Sequence, residues 1–217
     1  MKNLIKSMLV LAAFFACTFI IIKSTGILTL EDIQLWLERA KEINPLYLAL
    51  IVIALLFADL FIAIPTMTVT LMAGYFLGWS MGASAAIAGF FAAGLSGYVI
   101  SRLLGWRLLK WIYKDEEKLQ EMHDAFSSRA SVVLVCCRAL PILPEVSCCM
   151  AGATKMNFMR FLVMFSLGTI PYALIVSYAG SISSLEKPTP AILTAIVLST
   201  LLWFIWYRVG QRSHSLS

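Results

Sequence analysis

Charge is what this sequence has least of. Asp, Glu, Lys and Arg make up 13% of its 217 residues, while 60% are hydrophobic; a soluble domain carries about a quarter charged residues. A mean hydropathy of +0.86 points the same way, and the chain reads as an integral membrane protein. Histidine is nearly absent: His123 and His214 stand alone, which excludes a histidine metal site. The five cysteines offer no alternative. Cys17 is isolated, and Cys136-Cys137 and Cys148-Cys149 are adjacent pairs, whose members are poor disulfide partners for each other and match no zinc spacing. They read as small apolar packing residues. No Walker A loop, no G-x-G-x-x-G, no H-E-x-x-H and no nucleophile–base pair is visible. No enzyme, no cofactor and no metal is therefore expected.

What charge there is falls in telling places. Arg138-Ala-Leu-Pro141-Ile-Leu-Pro144-Glu145 continues to Met150-Ala-Gly152, within an apolar run that begins at Val132. Charge in hydrocarbon is expensive and usually faces protein or a wet cavity. Proline breaks the helical ladder, and broken backbone at membrane depth survives only where protein or water satisfies it. Residues 132–152 are thus expected to enter the membrane, break and return. An earlier stretch has the same grammar: Asp59, then Pro65, then Met72-Ala-Gly74. Two broken hydrophobic segments in corresponding positions are the sequence mark of a transport site between inverted repeats.

The remaining spans follow from composition. Met8 to Ile22 is apolar behind Lys2 and Lys6, and reads as a retained membrane helix rather than a cleaved signal peptide. Thr29 starts an amphipathic stretch with Glu31 and Asp32 in its first turn, either a helix on the membrane surface or a packed connector. Asn44-Pro45 stops it. Residues 46–77 read as a helix followed by a re-entrant hairpin. Gly78, Gly82, Ala86, Gly89, Ala93 and Gly97 then recur every three or four residues, a packing face on a helix ended by Arg102. Residues 103–130 are polar and mixed in charge. Phe158 to Gly180 is a span with a kink expected at Gly168 and Pro171. Ala191 to Tyr207 is the last, before a polar tail. The domains expected are 1–45, 46–181 and 182–217.

With both termini inside and both hairpins returning to their own side, twelve Lys and Arg lie inside and four outside (Lys23, Arg39, Lys41 and Lys187), the sense of the positive-inside rule. Orientation and anionic headgroups thus account for the net charge of +5, and no nucleic-acid partner is implied. The fold expected is all-α: an inverted repeat with two opposed re-entrant hairpins and about four full spans.

Pro65…Ala-Gly74…Gly78…Gly82…Gly97…Arg102-Leu-Leu-Gly105 resembles the first half of the DedA/VTT superfamily, also called the SNARE-associated Golgi protein family. Arg138-x-x-Pro141-x-x-Pro144…Ala-Gly152…Met156…Phe161…Gly168-x-x-Pro171…Tyr178-x-Gly180 resembles its second half. The resemblance covers roughly residues 45–181. It implies two opposed re-entrant loops, a bacterial inner-membrane or eukaryotic endomembrane location, and a role in moving lipid; the bacterial inner membrane is the expectation here. The chain is most similar to the branch with Arg-x-x-Pro-x-x-Pro. It departs from the DedA branch proper, which has more acids and a second arginine in this region.

The candidate substrate-binding residues are Asp59, Pro65, Gly74, Arg138, Pro141, Pro144, Glu145 and Gly152. Arginine is the residue for phosphate, because its planar fork holds two oxygens at once. Half-helix N-termini after Pro65 and Pro144 would add positive dipole ends. Asp59 or Glu145 would carry a coupling proton, since burial favours a neutral carboxyl. The competing role for Arg138 is a structural pair with one of these acids. The function expected is a lipid transporter or scramblase, with membrane lipids as partners and room for a homo-oligomer and proton coupling. The alternatives are a proton- or cation-coupled transporter of a small solute and a scaffold.

Overall fold

The computed structural model describes residues 44–62, 64–105, 130–135, 137–139 and 143–183, with the single positions 194, 197 and 200. The expected N-terminal helix, the amphipathic stretch after Thr29, the mixed-charge stretch 106–129, Pro141 and most of the last span lie outside the described residues. Among the described residues every regular element is helical. The α-helices are α1 (Pro45–Ala58), α2 (Thr66–Leu77), α3 (Trp79–Ile100), α4 (Leu143–Ala153) and α5 (Phe158–Ser181). A π-helical turn, Ser101–Gly105, extends α3, and a 3-10 turn, Cys137–Ala139, precedes α4. Residues 130–135 are also helical.

Two of these are long and apolar enough to cross a bilayer: Trp79–Gly105, with 27 residues, and α5, with 24. About 20 residues suffice. At 14 and 12 residues, α1 and α2 fall short. The two sides of α5 are both apolar. Phe161, Phe165, Ala173 and Val176 are buried on one side, while Met159, Val163, Leu167, Leu174 and Tyr178 are exposed on another. A surface helix of a soluble protein would turn charge outward; one that is apolar all round suits a membrane.

The ends of the helices have local causes. Asn44 caps α1, its Oδ1 accepting the Leu46 N–H at 2.8 Å, and Pro45 occupies the first turn, where its missing N–H is no loss. The dipeptide expected to stop one helix thus starts another. Gly78 also departs from expectation. It does not pack: it is exposed, with no atom within 4 Å of where a Cβ would stand. Its φ of +78° is what matters, because that left-handed conformation is open to glycine and lets the chain leave α2 and enter α3.

The chain divides into two compact units, and α3 and α5 each run from one into the other. The first unit takes α1, α2, α3 as far as Ala93 and α5 from Thr169. Its core is Leu48, Val52, Leu56, Val69, Ala73, Ala86, Phe90, Ala173 and Val176. A Cβ on Gly89 would lie 2.7 Å from that of Leu56, and one on Gly82 2.5 Å from the Ala73 carbonyl oxygen, so these glycines do form the expected packing face. The second unit takes α3 from Gly94, the π turn, and residues 130–168. Tyr98, Leu134, Val146, Met150, Phe161 and Phe165 are buried in it.

Candidate functional site

Each unit contains one break. In the first, α1 ends at Asp59, whose N–H reaches the Leu55 carbonyl at 3.1 Å. The Asp59 side chain is 7% exposed, and its Oδ1 accepts the Ile64 N–H at 2.8 Å. The acid therefore closes the turn between α1 and α2, as short Asp side chains do in loops. Pro65 is exposed at the head of α2 and offers no side-chain cap. Thr70, fully buried, donates its hydroxyl to the Thr66 carbonyl at 2.8 Å. Further along α2, Gly74 meets α5 so closely that a Cβ would overlap the Ser177 carbonyl, and Gly180 of α5 meets the Leu71 carbonyl in the same way.

The second unit repeats these parts. Its break holds the 3-10 turn with Arg138, then α4. Pro144 is buried in the first turn of α4, and Glu145 beside it is half-buried, where the helix dipole favours an acid. Ser147 donates to the Leu143 carbonyl at 2.6 Å. Gly152 meets α3 as Gly74 meets α5: a Cβ there would overlap the Tyr98 carbonyl. The two Met-Ala-Gly triplets thus do the same thing in both units, letting a short helix touch the backbone of a long one.

A row of rings runs through this unit. Tyr98 stacks on Phe161 with centroids 4.4 Å apart and planes 18° apart. Phe161 stacks on Phe165 at 5.5 Å and 20°. Both ends carry an arginine: Arg102 lies 5.6 Å from the Tyr98 centroid and Arg138 lies 5.7 Å from that of Phe165, within cation–π range. Gly94 makes the room, since a Cβ there would lie 2.5 Å from the Phe165 ring. Sequence reasoning missed Phe165 and Gly94. Their signal was present as helical spacing: Gly94, Tyr98 and Arg102 at steps of four, and Phe161 and Phe165 at a step of four.

The candidate residues therefore fall into two sets. Asp59, Pro65 and Gly74 belong to the first unit, and Arg138, Pro144, Glu145 and Gly152 to the second. An arginine anchored over a ring is chemically suited to an oxyanion, because its donors lie in the guanidinium plane. Among the described residues no group of His, Cys, Asp or Glu is arranged to hold a metal ion. A family model described as the VTT domain matches residues 64–182, which takes in both long helices and both Met-Ala-Gly triplets. No curated protein and no solved structure matches the chain.

Proposed function

The chain belongs to the VTT-domain family, within the DedA/VTT superfamily, and from that premise we propose that it moves a phospholipid or a related lipid phosphate across the bilayer. It is a membrane protein of a family with transporter-like character. The observation that carries the finer reading is Arg138: a cation held over the Phe165 ring, at a helix break, in a chain with little charge to place anywhere. Its fork is the group that binds a phosphate, and the acyl chains of a lipid would stay in hydrocarbon. On this reading the stretches Asp59–Gly74 and Arg138–Gly152 are two opposed re-entrant hairpins in an inverted repeat. Four spans cross the bacterial inner membrane with both termini inside. The protein catalyses movement, not a covalent step.

The test is reconstitution in vesicles with fluorescent phospholipids. Wild type should equilibrate the label between leaflets. Arg138→Lys, folded and monodisperse, should be slowed roughly tenfold, the worth of one lost charge-assisted hydrogen bond, because lysine keeps the charge and loses the fork. Wild-type rates in the lysine variant would instead assign Arg138 to a structural pair. Solute flux without lipid movement would favour the small-solute transporter.

A further inference from the structure

Arginine has a long side chain, and ordering it costs rotamer entropy. A guanidinium that must meet a phosphate with two donors at once therefore needs something to aim it. At the second break one helix, α5, supplies both the anchor and the aim. Gly168 of α5 lies against the segment that leads to Arg138: a Cβ there would lie 2.7 Å from the Val135 carbonyl oxygen and 3.0 Å from that of Leu134. The Leu134 carbonyl also accepts a hydrogen bond from the Cys137 thiol at 3.1 Å, at the head of the 3-10 turn that holds Arg138. One helical turn before Gly168 stands Phe165, with the Arg138 guanidinium over its ring.

The ring is itself held in place. Phe165 is 1% exposed and is stacked by Phe161. Its far edge lies against α3, where a Cβ on Gly94 would come within 2.5 Å of Cζ and 3.0 Å of both Cε atoms. All of these residues belong to the second unit. The Arg138 Nε is buried as well, and a cation–π contact gains strength when it is desolvated. Leucine would serve to fill a core at this position, but only an aromatic ring offers a cation its negative face. We propose that Phe165 is the positioning residue for Arg138: its ring face holds the guanidinium at the break in the orientation that receives a lipid phosphate. The inference rests on the reading of Arg138 as the phosphate-binding cation, and it assigns to a residue that never touches the lipid the task of aiming that cation.

Two measurements on the full chain test this, one of the contact and one of its role. In detergent, with isotope-labelled arginine, the Arg138 Nε–H resonance is identified by its loss in Arg138→Lys. Ring current should hold it upfield, and Phe165→Leu should return it downfield while the other arginine signals stay in place. An Arg138 signal unmoved by Phe165→Leu would overturn the proposal. For the role, Phe165 is replaced by mono- and difluorophenylalanine carrying fluorine at the ortho positions, away from the edge that faces Gly94. Fluorine draws charge from the ring face and leaves the packing nearly intact, so lipid movement in vesicles should fall stepwise, about fivefold with two fluorines. A role in packing alone predicts a flat series. A flat series beside a slow Arg138→Lys would overturn the positioning role and leave the phosphate reading standing. Wild-type transfer in Arg138→Lys, with the Arg138 signal still shifted by Phe165, would overturn the phosphate reading and leave the ring contact standing.

Discussion

Gly74, Gly152 and Gly78 are glycines for two different reasons, and substitution separates them. At Gly152 the obstacle is the Tyr98 carbonyl on a neighbouring helix. Gly152→Ala must push α4 from α3, and overpacking of this kind costs about 1–3 kcal/mol, to be read as a lowered thermal midpoint in detergent. At Gly78 nothing is in the way, and the penalty lies in the backbone. Gly78→Ala should cost about 1–2 kcal/mol, and Gly78→Asn should recover part of it, because asparagine tolerates the left-handed region. Full recovery at Gly152 by any residue larger than alanine would contradict the close approach. The sequence showed that these glycines mattered but not how: a recurrence every three or four residues puts Gly78 on the same face as Gly82, and only the dihedral angle removes it.

Between residues and the whole stand the turns that start and stop helices. The Asp59 side chain helps to close the break after α1, so two substitutions there should behave differently. Asp59→Asn keeps an oxygen for the Ile64 N–H and should fold like wild type. Asp59→Ala leaves a buried donor unmade and should cost about 1–3 kcal/mol. Equal stability of the two would mean that the 2.8 Å bond contributes nothing. If Asp59→Asn folds normally but transport fails, the acid has a second role that a turn does not explain. Elements of this kind were partly legible. Proline and acid together marked both breaks, and Phe158 to Gly180 was read within a residue of α5. Asn44-Pro45 was harder, because the same two residues can end a helix or start one, and the sequence does not say which. The stacked rings were hidden for another reason: spacing gives the face a ring occupies, not the helix that face meets.

At the scale of the whole molecule, the proposed orientation rests on the distribution of Lys and Arg, and it is testable without transport. A reporter fused after Ser217 should score as cytoplasmic in a bacterial host. An external score would remove the twelve-to-four asymmetry as a guide and the opposed hairpins with it. The shared helix crossing was readable from three residues, Met-Ala-Gly, because a close approach of helices tolerates so few alternatives that two copies of it still look alike. The charges around the triplets have diverged: Asp59 stands before one, and Arg138 and Glu145 stand before the other.

That shared crossing gives the chain its own experimental control. Gly74 and Gly152 occupy the same place in their units, so Gly74→Ala and Gly152→Ala can be compared in one protein, at one expression level and in one membrane. What both variants lose is the price of disturbing a helix crossing. Whatever only one of them loses reports the separate task that its half of the molecule performs.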